Sequence, residues 1–277
     1  MGVELDHGGN VLRMLDNRHF FEQTVFDSWA SRSGLTEIES ALVYRFLGRD
    51  HSTLEAGTGA GRILLSLQER GFGDLHGFDY VPGFIDAARS RDGSQSIDFT
   101  VQDAVDLDYP DARFEQAIYL QQVLCFIEDP DDRFRAMHEA SRVLQPGGTA
   151  LFSFLCHECR MKRPLYRTFD KYLRVQRRFR HRDVGLQYQP WLKAAETTNF
   201  GALVDRRPYV YWYRVREALD ALARARFDIT WVGSTAQVAS GAWECDPQRL
   251  DRSDLEGMLY VACRKGMPDE GLEPHAQ

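Results

Sequence analysis

The segment Leu54-Glu55-Ala56-Gly57-Thr58-Gly59-Ala60-Gly61-Arg62 constrains this chain more than any other. Three glycines at alternate positions follow an acid that closes a short apolar run, and a helical pattern of Ile63, Leu64, Leu65 and Leu67 begins at once. The order predicts a strand that stops, a loop with no side chains in the way and a helix N-terminus, which together make a cradle. Glycine lets the backbone take positive φ and lets a ligand approach closely. Glu55 is expected to put a negative charge on the rim, where a phosphate would be repelled and an ammonium or sulfonium would not. The dinucleotide fingerprint is G-x-G-x-x-G, whereas here the third glycine comes one place early. The plain alternative for the glycines alone is a tight strand–helix turn with no ligand.

Further pieces follow in order. Leu75-His76-Gly77-Phe78-Asp79 predicts a second strand ending in an acid, with a helix pattern (Phe84, Ile85, Ala87, Ala88) behind it. Asp79 falls where a Rossmann-type sheet places a ribose-binding acid; its bland role is a helix cap. A third strand over 97–101 leads to Gln102-Asp103-Ala104, a fourth over 114–120 ends at Gln121-Gln122, and a helix over 130–144 stops at Gln145-Pro146-Gly147-Gly148. The fifth strand, 149–154, is almost wholly apolar, as a central parallel strand is.

The pattern E-x-G-x-G-x-G, with these strand ends and the run Arg-Val-Leu-Gln-Pro-Gly-Gly-Thr, resembles the class I S-adenosylmethionine-dependent methyltransferases over roughly residues 35–155. The resemblance implies an α/β fold with a seven-stranded, mostly parallel sheet flanked by helices, and S-adenosylmethionine as cofactor. It implies that Glu55, Ala56, Gly57, Gly59 and Gly61 line the methionine part, that Asp79 holds the ribose with Tyr80 beside it, that Asp103 and Ala104 meet the adenine, and that Gln121 lies near the cofactor.

Outside that core, residues 1–34 carry Leu12, Met14, Leu15, Phe20, Phe21, Val25, Phe26 and Trp29, a pattern for one or two amphipathic helices that form an N-terminal lid. Thr36 and Glu39 fit a capping box opening the next helix. The methyltransferase domain is expected over 35–265 and a polar tail over 266–277. Between the fifth strand and the helix over 214–226 stand more than fifty residues; insertions of that length are usually functional, and 156–213 is read as a substrate cap. Its first part, 160–182, is basic, with Arg160, Lys162, Arg163, Arg167, Lys171, Arg174, Arg177, Arg178, Arg180 and Arg182 opposed by Asp170. This fits a solvated helix face or the attraction of an anionic substrate. Its second part is aromatic, which suits either packing or a pocket for a planar molecule. Trp29, Tyr166, Trp191 and Tyr211 are the candidate substrate contacts.

Composition excludes several classes. A net charge of −7 argues against general nucleic-acid binding. The N-terminal stretch lacks a basic and then apolar leader, and no apolar run is long enough to span a bilayer, so a cytoplasmic enzyme is expected. Five cysteines do not make a disulfide scaffold, and Cys156-His157-Glu158-Cys159 lacks a second pair at zinc-site spacing, so no metal is expected. The expected chemistry is in-line methyl transfer to an O or N atom of a small, anionic or aromatic molecule. His157, just past the fifth strand, is the first candidate for a general base, ahead of Tyr211 and His138. Asn/Asp-Pro-Pro-Tyr after the fourth strand is absent, as is a Pro-Cys nucleophile turn, which disfavours base-directed classes. The alternatives are an RNA-directed enzyme using 160–182, a nucleotide-dependent oxidoreductase, and an inactive cofactor-binding partner module.

Overall fold

A computed structural model describes residues 17–22, 26–194, 197–243 and 255–267. Seven strands form one sheet: β1 (Thr53–Ala56), β2 (Leu75–Asp79), β3 (Asp98–Val101), β4 (Phe114–Tyr119), β5 (Leu144–Phe154), β6 (Phe227–Ser234) and β7 (Leu259–Lys265). Their order is β3-β2-β1-β4-β5-β7-β6, with β7 antiparallel to both neighbours and the other pairings parallel. The direction of winding reverses between β1 and β4, and the carboxyl ends of strands at such a switch point form a crevice. β1 is buried at all four positions, and Glu55 is its one charged residue.

Helices cover both faces: α1 (Glu37–Phe46), α2 (Arg62–Gln68), α3 (Pro82–Arg91), α4 (Pro130–Val143), α5 (Pro164–Phe179) and α6 (Val215–Arg224). The Thr36–Glu39 capping box opens α1 as expected. Pro82 and Pro130 stand in the first turns of α3 and α4, where a missing N–H costs nothing. Two apolar clusters result, one on each face of the sheet. The fifth strand departs from expectation by starting at Leu144: its pairing with β4 jumps from Phe114↔Leu144 to Gln116↔Thr149. Gln145-Pro146-Gly147-Gly148 therefore bulges out of the ladder, because proline has no N–H for it.

Two short helices, Asn17–Phe20 and Phe26–Ala30, represent the N-terminal segment; Leu12, Met14, Leu15 and Val25 lie outside the described residues. The insertion after β5 holds the short helix His157–Met161, α5, an antiparallel pair (Tyr188–Pro190 with Tyr209–Tyr211) and a smaller pair (Lys193–Ala194 with Thr197–Thr198). Most of the tail, 268–277, also lies outside the described residues. No described helix is long and apolar enough to cross a membrane.

Candidate active site

The glycine loop between β1 and α2 shows what each glycine is for. All three adopt positive φ, 60° at Gly57, 55° at Gly59 and 77° at Gly61, a region that costs other residues roughly 1–2 kcal/mol. A Cβ on Gly57 would stand 2.7 Å from Val123 Cγ2, and one on Gly61 would stand 2.8 Å from Phe99 Cζ. A Cβ on Gly59 would meet no atom within 4 Å. Gly61 is thus required by the packing of α2 against the sheet, and Gly59 opens into a cavity of about 470 Å³ at the carboxyl ends of the strands.

That cavity gathers Gly57, Gly59, Asp79, Tyr80, Asp103, Ala104 and Gln121, seven of the ten expected cofactor residues, on its lining. Asp79 ends β2, and its carboxylate accepts from the N–H of Gly59 and of Val81, each at 3.0 Å. Burial pushes its pKa up to about 6 against those two N–H donors. It is therefore mostly ionised at neutral pH, with lone pairs left to accept a ligand's hydroxyl protons. Asp103 Oδ1 accepts from Val105 N–H at 3.2 Å, which fixes the turn after β3. Gln121 and Gln122 both take left-handed backbone, φ 67° and 61°, a cluster of strain of the kind stored at functional sites. The Gln121 side chain donates to Glu39, whose carboxylate also takes both guanidinium nitrogens of Arg62 at 2.7 Å. Burial opposes ionisation of Glu39, but those bonds and the Thr36 N–H hold its pKa below the usual carboxylate range.

Glu55 corrects the electrostatic expectation. Its carboxyl is not on the rim: it lies under the loop, 2% exposed, and accepts from Thr58 Oγ1 at 2.6 Å. Burial raises its pKa to about 8, so at neutral pH it is mostly an uncharged acid holding the loop shut from below. Ala56 is likewise buried in the core rather than facing the cavity.

An apolar, largely aromatic part of the cavity wall comes partly from the N-terminal segment. Phe21, Trp29, Phe84, Val123 and Phe126 line it. Phe21 meets Phe126 edge-on at 5.1 Å and Trp29 edge-on at 5.9 Å. Asn17 staples the segment down: its buried amide donates to the carbonyls of Phe126 at 2.6 Å and Tyr209 at 3.1 Å. One polar residue in an aromatic stretch carries no periodic signal, so reasoning from sequence misses it. The same reasoning misses the acidic mouth, where Glu128, Asp129 and Asp132 join Asp79 and Asp103 on the lining, with Arg18 the one cation lining it among the described residues and Arg207 and Arg135 paired to Glu128 and Asp132 from outside. The Glu-Asp-Asp-Asp spelling around Pro130 is the available signal.

Other candidates stand elsewhere. His157 starts the short helix after β5, its N–H bonded to the Tyr213 carbonyl at 2.9 Å, and burial lowers its pKa. It does not line the cavity, because the chain turns aside at Cys156 to bridge Tyr213. Tyr211 is held outside by its role as a platform: the Arg133 guanidinium sits 3.7 Å over its ring, and the Tyr211 hydroxyl donates to Glu217. Arg133 donates in turn to the carbonyls of Ile127 and Glu128, which sets the acidic turn. Tyr166 packs on Arg160, 4.0 Å away, remote from the cavity. Trp191 stacks on Phe126 at 5.1 Å and 6°, behind the aromatic wall. His138 is exposed on α4. Of the basic residues 160–182, Arg160 and Arg177 turn inward, and none lines the cavity.

Residues 54–152 match the family model described as a methyltransferase domain. The sheet has the class I methyltransferase fold. A 98-residue stretch is 36% identical to a demethylmenaquinone methyltransferase of Deinococcus radiodurans, covering 34% of this chain and 39% of that protein. A solved S-adenosylmethionine-dependent methyltransferase from Methanosarcina mazei superposes with a TM-score of 0.62 at 20% identity, over 82% of this chain and 98% of that one. The CcbJ methyltransferase of Streptomyces caelestis superposes with a TM-score of 0.58 at 14% identity, over 87% and 95%. Both structures share the seven-stranded fold; at these identities the likeness is one of architecture.

Proposed function

We propose that this protein transfers a methyl group from S-adenosylmethionine to a small molecule with an apolar, ring-bearing body and a neutral or cationic acceptor group, with an amine nitrogen favoured. The cavity carries the proposal: its lining brings an open glycine, a carboxylate able to accept from ribose and an adenine-side turn together with Phe21, Trp29, Phe84 and Phe126. The residues present suit the cofactor. Asp79 would accept from the ribose hydroxyls, Asp103 and Ala104 would meet the adenine, and the Gly57–Gly59 backbone would border the methionine part.

The bound cofactor supplies an electrophilic methyl on a sulfonium, which leaves as a neutral thioether. The chain's own work is alignment and exclusion of water, and alignment alone is worth roughly 7–11 kcal/mol of barrier. The aromatic wall and the Asn17 staple give that enclosure. Among the described residues the lining holds no histidine, lysine or cysteine, so a proton leaving a protonated amine would pass to a carboxylate of the mouth or to water. Glu128 pairs with Arg207 and Asp132 with Arg135, which leaves Asp79, Asp103 and Asp129 beside Arg18; that balance disfavours an anionic acceptor, and none of the basic segment that suggested one lines the cavity.

The test begins with titration of S-adenosylmethionine and S-adenosylhomocysteine, with NAD as control. A methyl-transfer screen of aromatic amines, phenols and aromatic carboxylates follows. Transfer to amines supports the proposal; binding of NAD alone, or exclusive use of carboxylates, overturns it.

A further inference from the structure

α5 has three faces, each with its own chemistry. Asp170, Leu173 and Arg177 recur at three- and four-residue steps and are buried. Arg167, Lys171, Arg174 and Arg178 recur the same way and form an exposed basic stripe. Leu165, Phe169, Tyr172, Val175 and Phe179 form a third stripe that docks on little of the described chain: Leu165 is 74% exposed and Phe179 81%. The apolar surface continues beyond the helix. The Tyr172 hydroxyl donates to the Leu203 carbonyl, and the Arg180 guanidinium to the Val204 carbonyl at 2.9 Å. This ties α5 to the turn Phe200–Val204, where Phe200, Leu203 and Val204 are also exposed. Seven of the ten large hydrophobic side chains exposed among the described residues lie on this one surface. Arg167, Lys171 and Arg178 have no carboxylate partner among the described residues, in a chain that is acidic as a whole.

We infer that α5 and the Phe200–Val204 turn form a docking surface for an anionic lipid bilayer, which α5 meets lying in the interface plane. Two properties are needed for such binding, an apolar stripe that enters the acyl boundary and a Lys/Arg stripe that meets the head groups. Here they are adjacent on one helix. A single-stranded nucleic acid fits the cations but not the aliphatic side chains, since Leu165, Val175, Leu203 and Val204 offer no ring for a base to stack on. A second copy of the chain fits the apolar stripe but not the cations, because a two-fold contact sets each basic stripe against its own image. The inference is independent of the cavity and of the reaction assigned to it.

Flotation of the full chain with vesicles tests it, comparing mixed phosphatidylcholine–phosphatidylglycerol with phosphatidylcholine alone, at low and high salt. Binding is expected only to the mixed vesicles and is expected to fall with salt. Two variants separate the stripes: Leu165→Ser with Phe179→Ser, and Arg167→Gln with Lys171→Gln and Arg178→Gln. Each is expected to weaken binding at least about tenfold, with thermal unfolding and S-adenosylmethionine affinity unchanged. Absence of flotation at low salt overturns the proposal. So does equal binding to neutral vesicles, a concentration-dependent dimer that Phe179→Ser dissolves, or capture of an RNA oligonucleotide by protein that ignores vesicles.

Discussion

Glu55→Gln isolates what the acid of the glycine loop contributes. In the folded chain its carboxyl is fully enclosed, accepts from Thr58 and has a pKa of about 8 against an ordinary 4.5. Glutamine keeps the shape and an oxygen for the Thr58 hydroxyl, and removes the ionisation. A carboxyl whose folded pKa is raised favours the native state while it is protonated; that advantage is complete below about 4.5 and is lost as pH climbs to about 8. Each tenfold change in an ionisation constant is worth about 1.4 kcal/mol, so the loss amounts to several kcal/mol. Wild type and variant should therefore show similar stability by urea denaturation near about pH 5, and the variant should be the more stable by at least about 2 kcal/mol near about pH 9. S-adenosylmethionine affinity at neutral pH should change by no more than about threefold, a fraction of 1 kcal/mol, because the group that is replaced is neutral there. A stability difference that ignores pH, or a loss of affinity beyond about tenfold, would show that a charged Glu55 faces the ligand.

Three further outcomes follow from the same geometry. Asp79→Asn should weaken S-adenosylmethionine binding at least about tenfold by calorimetric titration. Wild-type affinity should fall as pH drops through about 6, where a proton occupies an accepting oxygen, and the variant should lose that dependence. Gly59→Val should fold, with about 1–2 kcal/mol lost to positive φ, yet neither bind cofactor nor transfer methyl, since its side chain enters the cavity; near-wild-type turnover would refute the loop assignment. Phe126→Ala, which removes the half-buried ring shared by Phe21 and Trp191, should cost less stability than the about 3–5 kcal/mol of a fully buried ring and speed S-adenosylhomocysteine release in stopped flow; an unchanged release rate would mean that the aromatic wall does not enclose the site.

The sheet was legible because its signals are local. Apolar runs ended by acids or glycines mark the strands, and the spacing from Gly57 through Asp79 to Asp103 orders them at one crevice. Burial was not legible in the same way. Nothing in the sequence around Glu55 distinguishes a rim carboxylate from one folded beneath its own loop; that depends on Thr58 turning inward and on the neighbouring strands. Of the four expected substrate contacts Trp29 lines the cavity, and Tyr166, Trp191 and Tyr211 do not, for another reason. Tyr211 and Tyr166 are aromatics in the right segment, but each is claimed by an arginine, Arg133 and Arg160, at distances of 3.7 and 4.0 Å. Long-range pairs of this kind leave no periodic trace. The Pro-Gly-Gly stop was a strand bulge for a related reason: its partner strand lies thirty residues upstream.

Arg177 offers the sharpest test of whether the insertion governs transfer without governing cofactor binding. It stands in a basic stretch but is buried, and its guanidinium meets the Asp205 carboxylate at 2.7 and 2.8 Å. It also donates to the carbonyls of Gly185 and Tyr188, at 2.8 and 2.7 Å, so one side chain gathers α5, the following loop and the first strand of the antiparallel pair. Asp205 itself is fully buried, with Arg182 as a more distant second partner at 3.8 Å. Arg177→Met leaves that carboxylate short of its main partner, a change worth about 3–5 kcal/mol for a buried pair. Because the insertion meets the site through Trp191, the Tyr209 backbone and the Arg207–Glu128 pair rather than through Asp79 or Gly59, S-adenosylmethionine affinity should hold while methyl transfer falls. Arg177→Met with Asp205→Leu removes both charges and should recover part of the stability, since no uncompensated ion remains. Equal loss of cofactor affinity and transfer in the single variant would mean that the insertion is a structural support of the whole sheet; full transfer in it would mean that the acceptor never depends on this segment.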